Sequence, residues 1–445
     1  MNLFGTDGIR GEYGQWPLTP EFAYRLGCVL YEVTSVKAPV PLLVIGRDTR
    51  ASGSALFQSL CSGFIDRGGR IKNVGVVPTP LVAFAVVNLG AQMGIAITAS
   101  HNPPRDNGFK FFGADGIKIS DDEQRELEQL LQKASPTRRE IGSSVDGSLE
   151  STAAREYLKF LSKFYPQNWP ATSIYVDCAN GATSDIAGTV FTTSRGFKLA
   201  YAEPDGTNIN VGCGAEEAAH WTKRLKESDS DWAFVFDGDG DRFVLVHRNE
   251  GLIRGEYLIA LFADLLTEER RGSIGSIAVS IGANAGILGY LERGGHDVET
   301  APVGDRAISH ALLASGGIFG AEESGHYVFM GDHIAGDGIF AALSLLRLTD
   351  GNLDIVLKYA DKRILLPEAR ANVVVKNKVA SGEEELLPIR ETIRYAETKL
   401  DGVGRILVRP SGTEPKYRVF VEAAKQELAD ALVSQIAGVI AKARG

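Results

Sequence analysis

Five short apolar runs, each cut off by a polar loop, set the strongest limit on what this chain can fold into. They are Leu42-Leu43-Val44-Ile45, Gly94-Ile95-Ala96-Ile97-Thr98, Ile174-Tyr175-Val176-Asp177, Trp232-Ala233-Phe234-Val235-Phe236 and Ile277-Ala278-Val279-Ser280-Ile281. Runs this short and this continuous are strands buried on both faces. Alternating with helical stretches, they predict an α/β fold of parallel strands covered on both sides. In such folds ligands bind in loops at the C-terminal ends of strands.

Two helices are marked by their own chemistry. Ser120 followed by Glu123 is a capping box, and Leu127, Leu130 and Leu131 then share one face. Leu428, Leu432, Ile436, Val439 and Ile440 keep helical spacing near the C-terminus. Residues 136–152, rich in Ser, Gly and charge, suggest a boundary. The segment Arg370 to Val375 and the hairpin-like region from Arg405 to Glu422 look unlike the rest, and read as a smaller α+β unit. A chain of 445 residues has room for two to four domains, at roughly 100–200 residues each. Four are expected: 1–150, 151–252 and 253–367, sharing an α/β layout, and 368–445.

Charge and cysteine usage exclude several classes. Lys and Arg number 47 against 56 Asp and Glu, a balance that argues against nucleic-acid binding, which needs clustered positive charge. Small phosphorylated ligands remain open, since they need only a few local cations. Met1 to Asp7 has no basic stretch leading into an apolar one, as a signal peptide would. No apolar stretch approaches the ~18 residues of a membrane helix. Cys28, Cys61, Cys178 and Cys213 form no CxxC pair and read as reduced, mostly buried small hydrophobes. A soluble cytoplasmic protein is expected.

The sharpest chemical motif is Asp237-Gly238-Asp239-Gly240-Asp241-Arg242, directly after an apolar run. Three carboxylates at alternate positions can converge on one hard cation, with glycines letting the backbone fold tightly between them. Magnesium suits such an oxygen set. A calcium EF-hand does not, because its sixth and twelfth positions would be Arg242 and Arg248.

A second loop, Thr98-Ala99-Ser100-His101-Asn102-Pro103-Pro104, leads to Asp106-Asn107-Gly108-Phe109-Lys110. A serine there can carry a group covalently if a base or metal activates it. No nucleophile-elbow glycines surround Ser100, which argues against a hydrolase triad with His101. A third loop, Gly320-Ala321-Glu322-Glu323-Ser324-Gly325-His326, offers groups able to bind vicinal sugar hydroxyls and a histidine able to move protons. The fourth, Arg409-Pro410-Ser411-Gly412-Thr413-Glu414-Pro415 with Arg418, suits a phosphate cradle. No Gly-Lys dipeptide occurs, so there is no Walker A loop.

In this order, the four loops resemble the α-D-phosphohexomutase superfamily, from residue 4 to residue 418. The run Phe4-Gly5-Thr6-Asp7-Gly8-Ile9-Arg10-Gly11 is similar to members acting on glucosamine phosphate. The resemblance implies four domains around a central cleft. It implies Ser100 as a phosphoserine that completes a magnesium site with Asp237, Asp239 and Asp241. Glu322 and Ser324 match the sugar loop, and Arg409, Ser411, Gly412, Thr413 and Arg418 the distal phosphate loop. Arg10, Lys110, Arg242 and His326 match positions around the transferring phosphoryl group or the sugar, with His101 beside the serine. General acid and base stay open among Lys110, His101 and His326. Glu323 stands where those members usually carry Gln, and Ala321 replaces a frequent Gly; the segment Lys416-Tyr417 is also less typical.

The implied reaction interconverts glucosamine 6-phosphate and glucosamine 1-phosphate through glucosamine 1,6-bisphosphate, with one Mg2+ per subunit. Its place before UDP-N-acetylglucosamine in amino sugar metabolism follows from the resemblance only. Rivals are a phosphomannomutase or phosphoglucomutase, a non-catalytic phosphosugar-binding protein and a magnesium phosphatase. The expected partner is a small phosphosugar, with neither nucleic acid nor membrane and, as an open option, a homodimer.

Overall fold

The computed structural model describes residues 3–5, 7–134, 151–194, 196–361, 364–376, 387–410 and 415–444. The chain divides into two units, Met1–Gly282 with His296–Leu357, and Ala283–Gly295 with Lys358–Gly445.

The first unit holds three sheets built on one plan. The first contains β1 (Ile9–Glu12), β2 (Leu42–Arg47), β3 (Arg70–Val76), β4 (Met93–Ile97) and β5 (Asp106–Gly113), in the order β1-β5-β4-β2-β3. The second contains β6 (Ser173–Asp177), β7 (Phe197–Ala200), β8 (Ser230–Phe236), β9 (Phe243–His247) and β10 (Gly251–Ile253), in the order β10-β9-β8-β6-β7. The third contains β11 (Ser276–Ser280), β12 (Asp297–Ala301), β13 (Phe319–Ala321) and β14 (Tyr327–Val328), in the order β12-β11-β13-β14. In each, a central strand gains a parallel neighbour on one side and then another on the other side. That reversal of direction is a topological switch point.

The strand that follows the third parallel one in each sheet departs from the expected parallel arrangement. β5, β9 and β14 run antiparallel to β4, β8 and β13. The reason is loop length. Only residues 98–105, 237–242 and 322–326 separate these pairs, whereas a parallel return needs about a dozen residues or more. Each of these three hairpin connections carries one of the chemical motifs.

The apolar runs sit where their composition requires. β4 and β11 are buried along their whole length. In the first sheet Leu43, Ile45, Ile95, Ile97 and Phe109 pack against Phe22, Leu26, Leu30, Leu56, Leu60 and Phe64 of the helices Pro20–Ser35 and Gly53–Ile65. Such side chains each contribute roughly 1.5–3 kcal/mol when fully buried. The helix Asp121–Lys133 begins at the expected capping box, with Ser120 Oγ accepting from the Glu123 N–H and Glu123 Oε2 from the Ser120 N–H.

The second unit is an antiparallel sheet of β15 (Glu368–Val374), β16 (Gly404–Pro410) and β17 (Lys416–Ala423), ordered β15-β17-β16, with the helices Ala285–Arg293, Leu387–Leu400 and Gln426–Arg444. Leu432, Ile436 and Ile440 of the last helix join Val419, Val421 and Ile389 in its core. Among the described residues, no helix is long and apolar enough to cross a membrane, and the four cysteines are free.

Candidate active site

Ser100 follows β4 in a left-handed backbone conformation, φ 51°, which non-glycine residues rarely adopt. Its side chain is buried, and Oγ donates to Asp237 Oδ2 at 2.7 Å. His101 Nδ1 lies 3.3 Å from the same Oγ. Two hairpin loops, one from each of the first two sheets, therefore meet on a single hydrogen bond. Gly238 makes the approach possible, since a Cβ there would lie 2.7 Å from the Ser100 carbonyl oxygen. Gly240 has φ +74°, and a Cβ would lie 2.3 Å from Thr183.

Asp237, Asp239 and Asp241 are all buried, and ligand atoms of the three lie within 4.8 Å of one another. Asp239 Oδ1 and Asp241 Oδ1 have no hydrogen-bond partner among the described residues. Three oxygen donors, two of them orphaned away from water, fit a hard divalent cation. Burial, then repulsion from Asp239 and Asp241, pushes the Asp237 carboxyl up to about 7. Burial acts on Asp241 in the same direction, but Lys110, His326 and Lys118 outweigh it and hold its pKa well below the usual carboxylate range.

Lys110, from β5, is the internal counter-charge. Its Nζ lies 2.5 Å from Asp241 Oδ2, 2.7 Å from Asp239 Oδ2 and 3.1 Å from Asp7 Oδ2. Burial alone would lower its pKa, but Asp239, Asp241 and Asp7 raise it well above the usual lysine value. Arg10 pairs with Asp7 at 2.5 Å. Arg242 Nε donates to His326 Nε2 at 2.9 Å, and its Nη1 meets Glu216 Oε1 at 2.7 Å. Burial, then the charge of Arg242, lowers His101 to about 4, so it is neutral near pH 7.

The third hairpin loop reaches the same cluster. His326 Nδ1 lies 3.6 Å from Asp241 Oδ1, and Glu322 Oε2 lies 3.9 Å from His326 Nε2. Glu322 is buried, with Oε1 accepting from the Gly304 N–H at 2.6 Å. Ser324 is half-buried on the turn. Glu323 turns elsewhere, against the end of β11, where a Cβ on Gly282 would lie 2.3 Å from its Oε1.

Arg409 and Arg418 belong to the second unit, as direct cross-strand partners of β16 and β17. Both are exposed, and neither has an ion-pair partner among the described residues. Like charges placed opposite each other are destabilising, and an anion between them relieves this. Ser411, Gly412 and Thr413 lie outside the described residues.

Several site residues escaped sequence reasoning. Lys118 Nζ joins Asp7 Oδ1 at 2.6 Å to Asp305 Oδ1 at 2.7 Å. Thr79 Oγ1 donates to Asp239 Oδ2 at 2.6 Å. Asp48 and Arg50 lie beneath the Ser100 loop. These last two had a usable signal, because they lie in the polar loop at the end of the first apolar run's strand; Lys118 and Asp305 had none.

Comparisons with known proteins agree on one family. Models described as phosphoglucomutase/phosphomannomutase match as alpha/beta/alpha domain I over residues 1–138, as alpha/beta/alpha domain III over 254–359, and as the C-terminal domain over 371–439. A phosphoglucosamine mutase of Bacillus cereus is 35% identical over 443 residues, covering 98% of each chain. One from Geobacillus thermodenitrificans is 36% identical over 447 residues, covering 99% of each. Among solved structures, a phosphoglucomutase/phosphomannomutase family protein of Burkholderia thailandensis is similar with a TM-score of 0.78 at 22% identity, over 99% of this chain and 97% of that one. Aspergillus fumigatus N-acetylphosphoglucosamine mutase, solved with GlcNAc-6P and magnesium, has a TM-score of 0.67 at 17% identity, over 100% of this chain and 96% of that one.

Proposed function

Since the chain belongs to the phosphoglucosamine mutases, a family of α-D-phosphohexomutases, we propose that it interconverts glucosamine 6-phosphate and glucosamine 1-phosphate, with Ser100 as the phosphoryl carrier. The observation that carries this is the bond from Ser100 Oγ to Asp237, which puts a hydroxyl nucleophile at the edge of a buried carboxylate trio.

In the forward direction, phosphorylated Ser100 gives its phosphoryl group to the sugar 1-hydroxyl. The P–Oγ bond breaks, a bond to the sugar oxygen forms, and the hydroxyl proton passes to a base. The resulting glucosamine 1,6-bisphosphate turns around, and Ser100 takes the phosphoryl group from the 6-position. Asp237, Asp239 and Asp241, with Ser100, would hold one Mg2+, which supplies neutralisation of charge on the transferring oxygens. Arg242 and Arg10 add positive charge at the same point, and Glu322 and Ser324 hold the sugar hydroxyls.

Position narrows the proton's route: His101 Nδ1 lies 3.3 Å from Ser100 Oγ, which suits a base for the serine half of the exchange, and Lys110 and His326 stay open for the sugar half. Arg409 and Arg418, with Ser411, Gly412 and Thr413, would grip whichever phosphate is not reacting. The protein's partners on this reading are small phosphosugars, acted on in the cytoplasm within the domains 1–150, 151–252, 253–367 and 368–445.

The test supplies glucosamine 6-phosphate, Mg2+ and a trace of sugar 1,6-bisphosphate, and measures glucosamine 1-phosphate. Glucose and mannose 6-phosphates are run alongside. Faster turnover of a neutral sugar would reassign the substrate. Release of free phosphate without isomerisation would make it a phosphatase, and no reaction at all would leave a binding protein.

A further inference from the structure

Arg50 is wholly buried, and every nitrogen of its guanidinium points at something. Nε meets Asp48 Oδ2 at 2.8 Å. Nη2 donates to the carbonyls of Ser100 at 3.0 Å and Asn102 at 2.8 Å, and Nη1 donates to those of Asp106 at 2.8 Å and of Pro103. One side chain thus gathers three carbonyl oxygens of the serine loop and that of Asp106, the first residue of β5. The other side of Ser100 is held from the same anchor. Its N–H donates to Thr98 Oγ1 at 2.9 Å, and that hydroxyl donates to Asp48 Oδ2 at 2.6 Å.

Asp48 follows β2 and Ser100 follows β4, adjacent strands on either side of the first sheet's switch point. The N–H and C=O of Ser100 are therefore both tied to partners that meet on one carboxylate. A buried charged pair is expensive to desolvate and adds little to stability by itself. The φ of 51° at Ser100 is also unfavourable for a side chain bearing a Cβ. Here the two features explain each other: the pair holds the backbone in a conformation the loop would not keep alone.

We propose that Arg50, anchored by Asp48, is a positioning residue for phosphoryl transfer: it locks Ser100 in the left-handed conformation that aims Oγ at Asp237. It acts on the rate of the chemical step and not on sugar-phosphate binding. The proposal rests on Ser100 being the phosphoryl carrier, so Ser100→Ala is run in parallel.

Arg50→Lys keeps the charge and loses the planar fork. Thr98→Val keeps the shape and removes the hydroxyl that joins Ser100 to Asp48. Both are made in the full chain and assayed with Mg2+ well below their unfolding temperatures. A small misplacement of a reacting atom costs about 100-fold. Arg50→Lys is therefore expected to lower kcat by about that factor, and Thr98→Val by about tenfold, with KM nearly unchanged in both. The rate at which dephosphorylated protein takes phosphate from a sugar bisphosphate, followed by intact mass after rapid quenching, should fall in step. If Arg50→Lys does not fold, Thr98→Val decides alone. Unchanged kcat in folded variants, or a loss confined to KM, overturns the proposal. Activity in Ser100→Ala would instead overturn the carrier assignment beneath it.

Discussion

Ser100 Oγ donates to Asp237 Oδ2 across 2.7 Å, and the two residues occupy equivalent places in successive copies of one strand plan. Each lies in the connection between the third parallel strand of a sheet and its antiparallel neighbour. The Glu322–His326 loop holds the same place in the third copy. Three copies thus contribute a hydroxyl, a carboxylate trio and a polar loop, each from the same kind of hairpin.

Ser100→Ala removes the hydroxyl and should take mutase activity to the detection limit. Alanine tolerates the backbone angle about as well as serine does, so thermal unfolding should barely move. A coupled assay for glucosamine 1-phosphate beside a melting curve checks both parts.

Asp239→Asn should lose most activity, because it removes one charge from the carboxylate trio and weakens the contact to Lys110. Chelation should silence the wild type, and added Mg2+ should restore it. A wild-type rate indifferent to excess chelator would remove the metal assignment.

Lys110→Met leaves the carboxylates without their internal counter-charge. Breaking a buried pair on one side costs about 3–5 kcal/mol, so the variant should unfold at clearly lower temperature in chelator. Magnesium should recover part of that loss, and should move the variant's midpoint further than the wild type's. Equal shifts in the two proteins would mean that Lys110 does not balance the site's charge.

Arg418→Ala should weaken binding of both sugar phosphates, since one charge-assisted phosphate contact is worth roughly 1.5–3 kcal/mol, or about ten- to hundred-fold in affinity. A loss confined to one isomer would contradict a loop that grips the non-reacting phosphate in both half-reactions.

Glu323→Gln bears on sugar choice. The carboxylate lies against Gly282 while Glu322 reaches Gly304, so the two neighbours diverge. The preference for glucosamine over glucose phosphate should therefore hold within about twofold, a change too small to represent a lost charged contact. A several-fold fall would show the carboxylate meeting the amino group.

Much of this was legible in the sequence. The five apolar runs fall on β2, β4, β6, β8 and β11 within a residue or two, because a strand buried on both faces must be continuously apolar. The Ser100 and aspartate loops could be picked out as well, since each motif is complete within one connection, and the structure brings the two together. β3, an edge strand of mixed burial, and β1, four residues long, lacked that signature. What the sequence could not carry was partnership over distance. Lys118 joins Asp7 to Asp305 across 111 and 187 residues, and nothing local to any of them announces the contact. Arg50 likewise gains its four carbonyls only because β2 and β4 lie side by side. A strand or a tight loop is decided by neighbours in the chain, whose side chains set burial and turn. Charge pairing in a low-dielectric interior is decided by whichever groups the packed sheets bring together, and only the tertiary structure determines those.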